Sequence, residues 1–393
     1  MVYFCDEKHE YRITKTTLKM DRRHFMGLTA IGVAAAGMGL GCVPNGKKQI
    51  PKLPSQTALA ENGAIRSILL HLGNNMWCDY PSVAMGKTPQ EGSAFLEKKP
   101  DLSLICSDEA WRKATDRAAE KGVNLIVVDL GEGLFYPSHP ELAIEGTWSI
   151  EKMQAEIVRL NALGIEVIPK LNFSTTHNGW MGDYTHMVSS KPYYRMCEEV
   201  IADVMEIFGH PRFFHIGCDE ERSDFQEKHG YKYVCTRLDD YWWHDLFHLV
   251  DTIEKHGARP WMWSDHLWYH PDFVERCPKS VIQQNWYYDS QNGGFDLETN
   301  TTSEQIRLQS FLTLDQAGFD QVPCSTNWVG GKRKSLGIGA DDVIGKLVPF
   351  CREHISSGHL MGFMMASWAP TDTPEHLDHI LRGIDLFSKA LGQ

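Results

Sequence analysis

The sequence predicts a single (β/α)8 barrel, and three observations point there. Eight short apolar segments alternate with amphipathic stretches from Ser67 onward. A recurring phrase of helix, glycine and apolar strand runs through Gly122, Gly164, Gly257 and Gly318. Side chains suited to chemistry sit just after the apolar segments, where the loops at the C-terminal mouth of such a barrel converge. An open doubly wound sheet is the competing architecture. It usually needs fewer strands, and a nucleotide-binding one opens on a Gly-rich turn that His71-Leu72-Gly73-Asn74-Asn75 does not supply.

The first element is a targeting segment. Asp21-Arg22-Arg23-His24-Phe25-Met26 precedes an apolar stretch from Gly27 to Gly41 rich in Ala and Gly. Twin arginines before a mildly hydrophobic region read as a twin-arginine export signal. The stretch is too short and too Gly-rich for a membrane span. Residues Met1 to Lys19 are polar, which makes Met20 the expected true start. Leu40-Gly41-Cys42 resembles the end of a lipoprotein signal with Cys42 as the acylated residue, and a plain cleaved signal is the alternative. The expected organisation is an export signal over 1–42, a polar linker over 43–65 and the barrel over 66–393, placing the mature protein in the periplasm or anchored on the envelope.

Strands are expected at Ser67–Leu72, Asn124–Leu130, Glu166–Leu171, Phe213–Cys218, Pro260–Ser264, Val281–Trp286, Gln321–Ser325 and Gly362–Ser367. Helices are expected at Asp108–Glu120, Ile150–Leu163, Tyr193–Phe208, Asp240–Lys255, Ser303–Ala317, Asp341–His354 and Leu377–Leu391. Ser107 and Ser149 are placed to cap the first two, and the four recurring glycines to end helices.

Composition narrows the function. A net charge of −12 with no basic stripe excludes a nucleic-acid partner. The 12 Trp, 13 Tyr and 17 Phe supply faces that stack on sugar rings as well as core. The ten cysteines show no CxxC or Cys/His metal spacing, so neither a metal nor another cofactor is expected, and buried free thiols are the default.

The most informative stretch is Phe213-Phe214-His215-Ile216-Gly217-Cys218-Asp219-Glu220-Glu221, an apolar run ending in adjacent carboxylates. Paired acids push their pKa values apart, which suits acid/base work on a glycosidic bond. Glu220 and Asp219 are therefore the catalytic candidates. The other expected strand ends supply substrate-binding candidates: Glu132, His177, Trp180, Trp263, Asp265, Trp286, Trp328 and Trp368. His215 reads as a hydrogen-bonded supporting residue, and Trp242, Trp243 and Trp261 as core.

Here the chain resembles glycoside hydrolase family 20, the β-N-acetylhexosaminidases. Their His-x-Gly-Gly-Asp-Glu signature is matched by His215-Ile216-Gly217-Cys218-Asp219-Glu220, with Cys in place of the second Gly. Val167-Ile168-Pro169-Lys170-Leu171 followed by His177, Trp261-Met262-Trp263-Ser264-Asp265, Ile282-Gln283-Gln284-Asn285-Trp286 and Met365-Ala366-Ser367-Trp368 match in order. The resemblance implies Glu220 as general acid and later base, with Asp219 holding a 2-acetamido group that attacks the anomeric carbon. The chain departs from the family at three strand ends. The first-strand Arg is replaced by His71-Leu72-Gly73-Asn74, the seventh-strand Tyr and Asp by Ser325-Thr326-Asn327-Trp328, and the Glu after Trp-x by Pro370. There is also no room between Cys42 and Ser67 for the family's small α+β domain. Two alternatives stand beside this reading: a glycosidase using two enzyme carboxylates on a sugar without an acetamido group, with Glu132 or Asp265 as the second, and a non-catalytic sugar-binding surface protein. The sequence does not specify the sugar, the linkage or the oligomeric state.

Overall fold

The computed structural model describes residues 50–53, 63–78, 100–228, 231, 233–289, 294–298, 302–329 and 339–392. The export signal, Met20, Cys42 and most of the linker lie outside the described residues. Among those described, no helix is long and apolar enough to cross a membrane.

Strands and helices alternate as expected: β1 (Ile65–His71), α1 (Asp108–Glu120), β2 (Leu125–Asp129), α2 (Ile150–Ala162), β3 (Glu166–Lys170), α3 (Lys191–Ile207), β4 (Phe213–His215), α4 (Ser223–Lys228), α5 (Asp240–Lys255), β5 (Arg259–Trp263), α6 (Phe273–Arg276), β6 (Ile282–Gln284), α7 (Thr302–Gln316), β7 (Cys324–Ser325), α8 (Val343–His354), β8 (Gly362–Ala366) and α9 (Pro374–Leu391). All pairings are parallel, in the order β6-β5-β4-β3-β2-β1-β8-β7. Parallel bridges Gln283–Gln321 and Trp286–Cys324 join β6 to β7 and close the (β/α)8 barrel.

The strands read as unbroken apolar runs because both faces are buried. Leu125 and Val127 of β2 point into the barrel with Leu69, Ile168, Phe213 and Trp261. Ile126 and Val128 between them pack outward against the helices with Ile157, Leu160 and Val200. Ser107 and Ser149 cap α1 and α2 by accepting from the backbone N–H of Ala110 and Lys152. The four recurring glycines follow their helices with φ of +73° to +86°, the left-handed turn that lets the chain fall directly into the next strand.

Two differences from the expected elements matter for the site. β4 stops at His215 because Gly217 and Cys218 adopt φ of +69° and +67°, which no strand can continue. β7 is only two residues long, its expected start at Gln321 surviving as isolated bridges. The short α4 and α6 lack a periodic apolar pattern and were not foreseen.

The inward phase of the strands turns polar at the mouth. Lys170 Nζ donates to Asp129 Oδ2 at 2.5 Å, and His215 Nε2 meets Gln284 Oε1 at 2.8 Å, all four residues being buried. This paired polar layer is the floor beneath the loops. All eight cysteines among the described residues are free thiols.

Candidate active site

Asp219 and Glu220 emerge from the end of β4 through three left-handed residues, Gly217, Cys218 and Glu220. The bend is built by Asn172, two residues beyond the end of the neighbouring β3. Its side-chain amide donates to Asp219 Oδ1 at 2.7 Å, and its Oδ1 accepts from the backbone N–H groups of Ser174 and Cys218. His177, buried, lies between the two acids: its Nδ1 is 3.6 Å from Asp219 Oδ1 and its Nε2 is 3.6 Å from Glu220 Oε2. The Glu220 side chain keeps 30% exposure, so it alone of this trio opens substantially to the mouth.

The electrostatics separate the acids. Burial and the charges of Asp219 and Asp265 push the Glu220 carboxyl well above the ordinary carboxylate range, with Arg307 and Arg222 opposing. Asp265 rises to about 7 through burial and the charge of Asp219. Glu220 therefore holds its proton more tightly than an ordinary carboxyl does. The donor atoms of His177, Asp219 and Glu220 lie within 4.8 Å of one another, close enough to hold an ion as well as to share protons.

Aromatic rings extend from the acids in a continuous wall. Trp77 meets His177 edge-on at 6.4 Å, His71 lies 5.2 Å from Trp77 and 5.7 Å from Trp368, and Trp368 lies 5.6 Å from Trp263. Trp368 Nε1 donates to the Tyr288 hydroxyl at 3.1 Å, Tyr288 stacks on Trp286, and Trp286 meets Trp268. The Arg307 guanidinium covers Trp268 and Trp286 at 4.6 and 4.8 Å.

Of the residues expected from sequence, Asp219, Glu220, His177, Asp265, Trp286 and Trp368 converge here. Trp263 stands behind Trp368, 1% exposed, so it supports the wall rather than facing the mouth. Trp180 is buried, donating its Nε1–H to the Asn172 carbonyl and packing on Phe173. Glu132 is buried too, its carboxylate accepting from the backbone N–H groups of Asn74 and Asn75. Trp328 is 41% exposed beside His379. His215 is fully buried on Gln284, and Trp242, Trp243 and Trp261 are core.

Sequence reasoning missed Asn172, Thr176, Tyr288, Trp268, Arg307 and the pair Glu221–Arg237. The first four lie in strand-end loops, but attention there went to carboxylates, histidines and single tryptophans. Arg237 pairs with Glu221 and also donates to the Phe173 carbonyl and to Asp245, fixing the third acid of the Asp219-Glu220-Glu221 run as structure.

A model of the glycosyl hydrolase family 20 catalytic domain matches residues 136–369. Solved structures with the same fold include an exo β-N-acetylglucosaminidase from Vibrio harveyi, 14% identical with a TM-score of 0.54 over 84% of this chain and 54% of that one. A β-N-acetylhexosaminidase from Bacteroides fragilis is 14% identical with a TM-score of 0.52, covering 81% of this chain and 65% of that one. A catalytic module of the pneumococcal exo-β-D-N-acetylglucosaminidase is 14% identical with a TM-score of 0.50 over 85% and 86%. The chain thus spans about half to two thirds of the length of the first two. No curated protein matches the sequence.

Proposed function

Because this chain belongs to glycosyl hydrolase family 20, we propose that it hydrolyses a terminal or internal N-acetylhexosaminide bond with Glu220 as acid and base. The observation that carries this reading is a partly exposed carboxyl, at the mouth of the fourth strand, whose pKa is raised by burial and by two neighbouring acids. In the first step Glu220 gives its proton to the glycosidic oxygen as the C–O bond breaks and the leaving group departs as an alcohol. The carbonyl oxygen of the substrate's own 2-acetamido group bonds to the anomeric carbon, giving an oxazolinium ion. Asp219, oriented by Asn172, accepts the acetamido N–H and balances that positive charge. Water then attacks the anomeric carbon, Glu220 takes its proton, and the amide is restored with retained configuration.

The aromatic wall supports a sugar ring face, with Trp286 and Trp368 as its panels. Tyr288 brings a phenol whose ionisation is opposed chiefly by burial and, to a lesser extent, by Cys324, Asp219 and Glu220. In the proposal it contributes polar contact that the seventh strand, ending Ser325-Thr326-Asn327, lacks. Export by the twin-arginine route, to the periplasm or to a Cys42 lipid anchor on the envelope, is part of the same proposal and rests on the sequence.

The test is hydrolysis of a panel of aryl glycosides by the folded barrel and by its Glu220→Gln variant. The expected loss is about 10²–10⁴-fold in kcat on N-acetylhexosaminides. Turnover unchanged by the substitution would overturn the assignment of Glu220. Activity confined to sugars without an acetamido group would replace substrate assistance with a two-carboxylate mechanism, and binding without turnover would mark a sugar-binding protein.

A further inference from the structure

We propose that Asp265 is a positioning residue for Glu220, clamping its backbone together with Thr176 and setting a second carboxyl against the acid. This rests on Glu220 being the acid, and adds a part that the Asp219–Glu220 pair alone does not contain.

The geometry begins with strain. Glu220 has φ of +56°, a left-handed conformation that a side chain bearing a Cβ adopts only under strain. Such a residue persists when its surroundings hold it, and three bonds do so. The backbone N–H of Glu220 donates to Asp265 Oδ2 at 2.8 Å, and its carbonyl accepts from Thr176 Oγ1 at 2.8 Å and from the backbone N–H of Arg222 at 2.9 Å. Both peptide groups flanking the strained torsions are therefore tied, one to the loop after β5 and one to the loop after β3. Asp265 is only 4% exposed, and among the described residues its other oxygen, Oδ1, has no hydrogen-bond partner.

The groups facing Glu220 are Asp219, Asp265, His177 and the Tyr288 phenol, with Arg307 and Arg222 as the cations. Arg222 is committed to Asp224 and lies over Tyr269, whereas Arg307 acts on both Glu220 and Asp265. Asp265 also faces Asp219, so the three carboxyls form one electrostatic unit. Asp219 serves the substrate in the proposed mechanism. Asp265 serves Glu220.

The two contributions, clamp and charge, separate by substitution. Asp265→Asn keeps an oxygen to accept from Glu220 N–H but removes the charge. Asp265→Ala removes both, and Thr176→Val removes the side-chain tie on the Glu220 carbonyl, together with the contact from Gln226, and leaves the Arg222 N–H in place. Thermal melts first establish that each variant folds. The titration of Glu220 is read by carboxyl-carbon NMR on protein labelled at glutamate, assigned with Glu220→Gln, so it needs no turnover. The expected result is a Glu220 titration displaced to lower pH in Asp265→Asn and Asp265→Ala and unmoved in Thr176→Val. In the kcat profile, the fall at high pH moves the same way in Asp265→Asn. Thr176→Val loses about tenfold in kcat at all pH values, as one lost hydrogen bond implies. Asp265→Ala loses about 10²-fold, as a misplaced reacting group implies, and Asp265→Asn recovers most of that at low pH.

A Glu220 titration unmoved in Asp265→Asn would overturn the proposal, as would a rise in KM with kcat spared, which assigns Asp265 to substrate contact. Failure of the underlying reading looks different. Turnover indifferent to Glu220→Gln removes the acid while leaving the NMR result intact.

Discussion

The side-chain amide of Asn172 donates to Asp219 Oδ1 at 2.7 Å while its carbonyl oxygen accepts from the backbone of Ser174 and Cys218. One planar group thus orients the acid and fixes the bend that presents it. Asn172→Ala is expected to lower kcat by about 10–10²-fold, since the carboxylate loses its donor and the loop its tie. Asn172→Asp should be worse, because it sets a second carboxylate against Asp219. Steady-state kinetics on an aryl N-acetylhexosaminide checks both, and equal activity of all three proteins would remove Asn172 from the site.

Cys218 occupies a left-handed position, φ +67°, and is buried. Gly there is conformationally free, which is the physical sense of a Gly-Gly pair in this signature. Cys218→Gly should keep the fold within about 1 kcal/mol of the parent, relief of strain offsetting lost packing. Cys218→Val, β-branched at positive φ, should lose about 2 kcal/mol or more. Urea unfolding midpoints discriminate the two, and an undamaged Val variant would contradict the backbone assignment.

Arg237 is buried against Glu221 and Asp245, with the Phe173 carbonyl as a third acceptor. Removing the cation strands two buried carboxylates, so Arg237→Ala should destabilise by about 3–5 kcal/mol. Chemical denaturation at pH 7.5 measures the effect, and an unchanged unfolding midpoint would contradict it.

Glu132 is held by burial at a pKa of about 7, above its ordinary 4.5, despite two backbone donors. A carboxyl raised by folding gives stability that is complete below its unfolded value and is lost as pH rises through the folded one. The expected loss is on the order of 3 kcal/mol between about pH 4.5 and pH 7. Glu132→Gln keeps the acceptor for Asn74 and Asn75 but does not titrate. Asp265 titrates in the same window, so the readout is the difference in Tm between the two proteins, which should move in favour of the Gln variant as pH rises.

Much of this was legible because burial on both faces makes a barrel strand an unbroken apolar word, and because the Asp219-Glu220 pair follows one of them. The strand-end rule finds positions, however, and not directions. Glu132 follows β2 as expected, yet its carboxylate folds back on Asn74 and Asn75. Trp263 closes β5 on the inward phase, below the mouth, and Trp180 turns into the loop core on Asn172. The residues that organise the acids escaped for a related reason. Asn172, Thr176 and Arg237 are unremarkable in sequence, and their meaning arises from approaches across the barrel that no local pattern encodes.

A Cβ placed on Gly217 would lie 2.1 Å from Asn172 Oδ1 and 2.8 Å from Asn172 Cα. Shortening residue 172 would clear the amide but not its Cα, so any side chain at 217 must push the two strand ends apart, and with them the group that steadies Asp219.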